Sequence, residues 1–371
     1  MNNTILRLHR SWWYKPSDGA VEVFSLLEKR RLKLTGDVAS LLEALSLLDR
    51  GTKTGSAARE ISCQTGLQLA TSQKLLHRLQ QQNVVVETHP ETSTEADQYD
   101  RQVRFFDFFE RDGISGADLD YRLRHRKVIV VGIGGYGTWL ALLLGRLGVK
   151  RIVLIDQDKV ESTNLHRQVL FNSDDLGKSK VKSAAAAIQA FQPDVEIETI
   201  DRMIDSSDSL QPYLDNADLV INAFGYREGS LASFIYHAAA KSSVPCLTFS
   251  GSWIGPLTIP GRSACVACLQ NDDQLKEALA LSVSNYERPT SRQAFPAIAP
   301  RLGTTACLAV WEAVRFLAGL DEIPSVNNII IFDSFHYIDH KRIRVERNPD
   351  CPVCGSITPK ELLKNAKANQ P

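Results

Sequence analysis

The sequence lacks the features that define several large classes of protein. Its apolar runs are too short to span a bilayer, and the polar start MNNT does not lead into a signal-peptide pattern. The formal net charge is zero, so no charge excess favours nucleic acid or an anionic membrane as a partner. The seven cysteines are an odd number and include two Cys-x-x-Cys pairs, which favour metal over disulfides in a reducing compartment. We therefore expect a soluble, cytoplasmic protein.

The patterning divides the chain into a small N-terminal domain, a linker and a larger domain. Residues 1–87 form the first, the acidic and polar stretch 88–98 is the linker, and residues 99–371 form the second. Apolar alternation predicts strands in the first domain, and helical spacing predicts three helices after them. The predicted strands are 5–14, 20–27, 31–34 and 84–86, and the predicted helices are 38–48, 56–62 and 71–82. This order is typical of a winged-helix-like module.

A glycine-rich turn lies between a strand and a helix in the larger domain. The apolar run 128–131 precedes the turn, and a helical pattern follows over 138–147. Glycine allows a tight turn and a close approach to phosphate, and the helix N-terminus behind it favours an anion. The next predicted strand, 151–155, ends at Asp156, where nucleotide-binding folds place a ribose-binding acid. The pattern predicts a nucleotide site that contains Gly132, Gly134, Gly135, Gly137 and Asp156.

A nicotinamide cofactor would be the default reading of such a turn, but the residues after Asp156 favour a triphosphate. Two cations and two amides follow within one short segment, more than a diphosphate on a helix terminus requires. Such groups suit a reaction that moves negative charge at the α-phosphate. The further ATP-binding candidates are Asp158, Asn164, Arg167, Gln168 and Lys180.

The order of these motifs resembles that of the E1-like (ThiF/MoeB/HesA) activating enzymes. The glycine turn, DQDKVESTNLHRQ and DLGKSK occur at that family's spacing, and the resemblance covers about residues 99–356. It implies a Rossmann-like, doubly wound, mainly parallel sheet, a homodimer, and use of ATP and Mg²⁺ to adenylate a carboxylate. It also implies that Arg167 and Lys180 are catalytic. The layout is most similar to the branch that modifies ribosomally made peptides of the microcin C7 and pantocin kinds.

Two segments match the motifs of the family only in part. The stretch Tyr99-Asp100-Arg101-Gln102 resembles one whose arginine acts on the partner subunit's nucleotide, which implies a catalytic Arg101 supplied in trans. An ordinary solvated helix arginine is the alternative. Asn222 and Gly225 stand where the family has two aspartates, the second of which helps to hold Mg²⁺. Three alternatives are open: Glu228 replaces that aspartate, Asp158 with phosphate oxygens suffices, or the chain has lost adenylation.

Two cysteine knuckles predict a structural zinc site in the C-terminal half. Four thiolates can close a tetrahedral site with no open position. The ligands are Cys265, Cys268, Cys351 and Cys354, in contexts that also resemble the zinc cysteines of the family. Cys246 and Cys307 are predicted to occupy core positions. The segment 282–301 takes the place of the family's crossover loop and contains no cysteine, which argues against transfer of an acyl group to the enzyme.

The N-terminal domain admits three interpretations. DNA binding is disfavoured, because the last helix carries only Lys74, His77 and Arg78 as cations. The domain resembles the peptide clamps that bind a leader segment as an added strand. A packing or dimerisation role is the third.

The function we expect is ATP-dependent activation of a carboxylate in a precursor peptide, followed by intramolecular cyclisation in peptide antibiotic biosynthesis. A non-catalytic leader-binding partner of a cyclodehydratase and a sulfur-carrier adenylyltransferase of the MoeB/ThiF type are the alternatives.

Overall fold

The computed structural model describes residues 4–25, 27–88, 98–111, 113–224, 231–271, 297–332 and 340–355. The chain divides into two compact units, Met1–Tyr121 and Arg122–Pro371. The segment after the predicted linker, up to residue 121, therefore clusters with the N-terminal elements. Within the described ranges, none of the helices combines the length and the apolar character needed to cross a bilayer.

The first unit contains two three-stranded antiparallel sheets and a set of helices. One sheet has the order β2-β3-β4 and the other β5-β1-β6. The strands are β1 (Ile5–Leu8), β2 (Trp12–Ser17), β3 (Ala20–Ser25), β4 (Arg30–Thr35), β5 (Thr52–Lys53) and β6 (Val85–Thr88). The helices are α1 (Val38–Arg50), α2 (Ala57–Thr65), α3 (Leu69–Gln81), α4 (Asp100–Phe106) and α5 (Gly116–Arg124), the last of which crosses the unit boundary.

The prediction of one strand over 5–14 is wrong, because the chain turns at His9. The Trp12 N–H donates to the His9 carbonyl at 2.9 Å, and the Ser11 N–H donates to His9 Nδ1 at 3.1 Å. The two halves consequently enter different sheets, β1 beside β6 and β2 beside β3. The three helices predicted for this domain are present, and their apolar faces meet in a core that includes Leu45, Leu48, Ile61 and Leu79.

A buried polar cluster joins β1 to the chain that follows α4. Arg7 Nη2 lies 2.6 Å from Glu110 Oε2 and 3.3 Å from Asp107 Oδ1, and all three side chains are buried. His9 Nε2 lies 3.1 Å from the Glu110 carbonyl. Burial raises the pKa of Glu110 to about 7, and the Arg7 guanidinium offsets only part of that rise. The same burial lowers the pKa of His9.

The second unit is built on one eight-stranded sheet. Its strand order is β14-β13-β12-β11-β10-β7-β8-β9. The five strands from β11 to β9 are parallel, and β12, β13 and β14 pair in antiparallel fashion. The strands are β7 (Lys127–Val131), β8 (Arg151–Ile155), β9 (Glu196–Ile200), β10 (Leu219–Asn222), β11 (Cys246–Ser250), β12 (Trp253–Thr258), β13 (Asn328–Phe332) and β14 (His340–Arg344). The helices are α6 (Gly135–Arg146), α7 (Lys180–Phe191), α8 (Ser207–Leu210), α9 (Leu231–Lys241) and α10 (Ala299–Ala318).

Helices cover both faces of this sheet, as the mainly parallel pairing requires. Ile129 and Val131 of β7 and Val153 of β8 pack in one buried cluster with Ile235 of α9. Because successive strand residues point to opposite faces, the alternate positions Val128 and Val130 face the side covered by α6, α7 and α10. The expected doubly wound, mainly parallel core is therefore present, extended by an antiparallel edge.

Glu110 predicts a pH-dependent contribution to stability. An unfolded glutamate loses its proton near pH 4.5, whereas folded Glu110 does so near pH 7. The folded state therefore binds more protons between these values, so its stability falls as the pH rises through this window. We expect the unfolding free energy of the wild type, relative to Glu110→Gln, to fall by about 1–3 kcal/mol across it, measured by urea unfolding.

The matched control is Glu43→Gln, which changes an exposed glutamate on α1. Parallel stability curves for the wild type and Glu110→Gln would contradict the assignment.

Candidate active site

The glycine turn at the end of β7 is closed by contacts that leave no space for a side chain at Gly135 or Gly137. The Gly132 N–H donates to the Ile155 carbonyl at 2.8 Å, and Gly132 has a φ of 97°. A Cβ on Gly137 would lie 1.9 Å from the Gly132 carbonyl oxygen, and one on Gly135 would lie 2.6 Å from Leu302 Cδ1. A Cβ on Gly134 would meet nothing within 4 Å. The turn is thus tightly packed behind and open in front, where the N-terminus of α6 begins.

Asp156 fastens this turn to the end of β8. Its Oδ2 accepts a hydrogen bond from the Ile133 N–H at 2.6 Å, and its Oδ1 accepts one from the Asp158 N–H at 2.8 Å. The side chain is buried, and burial raises its pKa, while the two backbone donors and Lys180 offset part of the rise. Each oxygen retains a further lone pair for a ligand hydroxyl.

Lys180 lies beside this acid at the start of α7. Its Nζ is 2.8 Å from Asp158 Oδ2, and its backbone N–H donates to the Asp158 carbonyl at 3.0 Å. The Lys180 side chain is 7% exposed, whereas that of Asp158 is 58% exposed. The buried Lys180 ammonium group is therefore paired with the Asp158 carboxylate, which is accessible to a ligand.

The segment between Asp158 and Lys180 contains Asn164, Arg167 and Gln168, and each of these side chains makes different contacts. Asn164 is buried, and its Oδ1 accepts from the Glu161 N–H at 3.1 Å, which closes a local turn. Arg167 Nη1 donates to the Thr163 carbonyl. Gln168 is buried, and its Oε1 has no hydrogen-bond partner among the described residues. A buried acceptor of this kind suits a ligand donor, because leaving it unsatisfied is costly.

Residues that the sequence analysis did not single out lie beside Asp156. A small cavity of about 50 Å³ is lined by Asp156, Gln157, Arg202, Met203 and Phe224, among others. Phe224 is 45% exposed and Met203 48% exposed. A Cβ on Gly132 would lie 3.3 Å from the Phe224 ring. An exposed aromatic directly after a buried strand is the signal that could have identified Phe224.

The end of β10 departs from the pattern of two aspartates, and the structure gives Asn222 a structural role. Its Nδ2 donates to Tyr236 Oη at 2.9 Å, and its Oδ1 accepts from the Phe224 N–H at 3.1 Å. Gly225 and Glu228 lie outside the described residues. Asp158 offers the kind of exposed carboxylate oxygen that Mg²⁺ binds.

The remaining candidates are Arg101, His166 and the cysteines outside the predicted zinc cluster. Arg101 is an exposed residue of α4, in the first unit. His166 Nε2 lies 3.2 Å from the Ala297 carbonyl, just before α10. Cys246 is buried as expected, but Cys307 is exposed, so the core position predicted for Cys307 is wrong. The face of α10 that carries Cys307 is not covered by the described residues.

The four predicted zinc ligands meet in one buried cluster. Cys265 Sγ lies 3.9 Å from Cys268 Sγ and 3.6 Å from Cys351 Sγ, and Cys268 Sγ lies 3.4 Å from Cys354 Sγ. All four sulfur atoms are within 4.8 Å of one another. The Asn348 N–H points to Cys268 Sγ at 3.5 Å. Four convergent sulfurs and a backbone donor fit a closed tetrahedral Zn²⁺, which would tie the chain after β14 to the chain after β12.

Removal of the metal is expected to destabilise the second unit. Cys354→Ser deletes one ligand, so zinc content should fall from one ion per chain to nearly none, with the thermal midpoint lowered by roughly 5–10 °C. Elemental analysis and thermal unfolding measure both effects. The matched control is Cys307→Ser, a thiol outside the cluster, which should leave both unchanged. Full zinc content in Cys354→Ser would contradict the assignment.

Comparison with known proteins places this geometry in a family. Residues 99–353 match the ThiF family. Protein HesA, heterocyst, of Trichormus variabilis is 28% identical over 270 residues, which cover 72% of this chain and 92% of that protein. The sulfur carrier protein ThiS adenylyltransferase of Escherichia coli is 26% identical over 261 residues, 69% of this chain and 94% of that protein.

Solved structures share the fold over nearly the whole chain. Escherichia coli MccB with AMPCPP and MccA aligns with a TM-score of 0.74 and 20% identity, covering 95% of this chain and 100% of that one. PaaA aligns with a TM-score of 0.68 and 20% identity, covering 91% of this chain and 99% of that one. The chain belongs to the ThiF family of E1-like, ATP-dependent adenylyltransferases.

Proposed function

We propose that the protein uses ATP to adenylate a carboxylate of a ribosomally made precursor peptide, and that the activated peptide then cyclises. The observation that carries the proposal is the arrangement of Asp156, Asp158 and Lys180 at the open side of the glycine turn. A buried cation, an anchored acid and a helix N-terminus together suit the phosphates and ribose of a nucleotide.

The chemistry assigns a separate task to each part of the nucleotide. The ribose lies at Asp156, with the adenine between the exposed side chains of Met203 and Phe224. The phosphates extend over Gly134, where there is open space, toward Lys180. Asp158 is a group that would hold Mg²⁺, which when bound neutralises phosphate charge.

The reaction exchanges one bond at the α-phosphorus for another. A carboxylate oxygen of the peptide forms the new P–O bond, and the bond to the β-phosphate breaks, so pyrophosphate leaves with the electron pair. Lys180 and Arg167 stabilise the charge that builds on the phosphate oxygens, with Arg101 of a second copy in a homodimer. A nucleophile of the same peptide then attacks the acyl carbon and AMP leaves.

The first unit is the part we assign to the leader of the precursor. Its sheet β2-β3-β4 has two outer strands, each paired with β3 alone among the described residues. An added strand takes its affinity from main-chain hydrogen bonds along such an edge. On β4, the exposed Arg30, Arg31 and Lys33 favour a leader with acidic residues. The family match begins only at residue 99, so the elements before it are free to specialise in substrate choice.

Activation of a sulfur-carrier protein is the second candidate. It is favoured by the similarity to sulfur-carrier adenylyltransferases of Escherichia coli and Thermus thermophilus, which are 26% and 28% identical. A protein ending in Gly-Gly would then be the substrate. The two candidates share the nucleotide site and differ in what delivers the carboxylate.

Pyrophosphate exchange tests the activation step. Labelled pyrophosphate should enter ATP when the wild type meets short peptides encoded beside its gene. Lys180→Met should reduce the exchange rate by about 100-fold or more, because a cation aimed at the transition-state charge is lost. Lys182→Met, an exposed lysine two positions further along α7, is the control and should keep the wild-type rate.

The same assay separates the two candidates. Exchange with a precursor peptide that weakens when its N-terminal part is removed supports the leader-dependent activity. Exchange with a Gly-Gly-ending carrier protein, and with none of the peptides, would replace it by the sulfur-carrier activity. No exchange with either class would contradict both.

A further inference from the structure

The Arg301 guanidinium and the Tyr136 phenol both lie beside Gly251, which follows the last residue of β11. A Cβ placed on Gly251 would lie 3.0 Å from Arg301 Nη2 and 3.5 Å from Tyr136 Oη. Both polar groups therefore border the same small space beside the main chain. Gly251, Arg301 and Tyr136 are each partly exposed, so solvent or a ligand has access to them.

Surrounding contacts hold the Tyr136 ring and the start of α10 in place. The Tyr136 ring packs edge-on against Phe249, with 5.2 Å between the ring centroids. Thr305 Oγ1 donates to the Gly251 carbonyl at 3.1 Å, which fixes the first turns of α10 against the end of β11. Burial raises the pKa of Tyr136, and the Arg301 charge and a hydrogen bond with the Thr305 hydroxyl offset part of the rise, so the phenol is neutral.

The packing of two helices brings this pair to the nucleotide site. Gly135, in the first turn of α6, faces Leu302, and Gly303 faces the Trp139 ring. Both helices therefore begin at the same edge of the sheet, with Tyr136 in the first turn of one and Arg301 in the first turn of the other. His166 contacts the Ala297 carbonyl, so the segment that carries Arg167 also meets the start of α10.

The distance from Gly251 to the glycine turn suits a substrate carboxyl group that reacts next to the nucleotide phosphates. β11 and β7 are separated by β10 alone, which is two strand spacings or about 10 Å. A ligand at Gly251 thus approaches the open side of the glycine turn from the β11 side. The nucleotide proposed above enters from the β8 side, at Asp156.

We propose that Arg301 and Tyr136 form the subsite for the carboxyl group that is activated, with Gly251 leaving the space that this group occupies. The inference rests on the proposed function and names the residues that position its acyl substrate. One carboxylate oxygen attacks the α-phosphorus, and the other stays hydrogen-bonded to the guanidinium and the phenol. That second oxygen becomes the carbonyl oxygen of the acyl-adenylate and keeps the same two donors.

Stable analogues of the acyl-adenylate test the contact of the acyl carbonyl with Arg301 and Tyr136, and they do not require the natural peptide. 5′-O-(N-glycylsulfamoyl)adenosine carries the acyl carbonyl, and 5′-O-sulfamoyladenosine lacks it. In calorimetric titrations of the full chain, Arg301→Met should weaken the acylated analogue by about tenfold or more, since a charge-assisted hydrogen bond is lost. The analogue without the acyl group should change less than twofold. Gly251→Ala should give the same selective loss, because its methyl group fills the subsite.

Two controls make the outcome decisive. Arg344→Met, on the exposed face of β14, should leave both affinities at wild-type values. Lys180→Met should weaken both analogues, because it acts on the part that they share. If Arg301→Met does not fold, Arg301→Lys and Gly251→Ala carry the test.

Equal affinity ratios of the two analogues in the wild type, Arg301→Met and Gly251→Ala would overturn the subsite while leaving the adenylation proposal intact. A wild type that binds neither analogue would overturn both.

Discussion

The carboxylate of Asp156 is the constraint on which the functional half of this molecule depends. It is buried at the end of β8 and accepts the backbone N–H groups of Ile133 and Asp158, one on each oxygen. One bond fixes the glycine turn, and the other fixes the chain that leads to Lys180. Because the carboxylate carries its charge in a desolvated place, loss of either donor would leave a costly unpaired group. The same carboxylate therefore sets the shape of the site and, in the proposed function, also binds the ribose.

Glycine provides the second constraint, because three glycines let α6 pack closely against its neighbours. Gly137 lies against the Gly132 carbonyl, Gly135 lies against Leu302, and Gly145 lies against Ile188 of α7. Any side chain at these positions would separate α6 from the turn, from α10 or from α7. The packing of α6 against the turn, α10 and α7 thus depends on the absence of a side chain at these three glycines. The cluster of four cysteines acts on a different part, since its contacts join the chain after β14 to the chain after β12.

Local signals in the sequence were sufficient for part of this structure. The β8 strand has the predicted bounds, and the four predicted zinc ligands converge as expected, because strand patterning and ligand spacing are local properties. The break at His9 was missed, since it depends on a side chain that bonds to its own neighbours. The antiparallel edge formed by β12, β13 and β14 was not predicted, because the apolar pattern of a strand does not encode its direction. Arg301 was not predicted as a candidate residue, because only the fold brings it beside Gly251 and Tyr136.

The positions of the thiols bear on how an activated acyl group would leave this site. Outside the zinc cluster the chain has Cys63, Cys246 and Cys307. Cys63 belongs to α2 in the first unit, and Cys246 is buried within β11, where burial raises its pKa. Cys307 is exposed, but it follows Arg301 by six positions in α10, and partial burial raises its pKa as well. A thiol nucleophile needs a lowered pKa and access to the acyl carbon. Cys246 and Cys307 do not combine both, which supports capture by a group of the substrate itself in the proposed function.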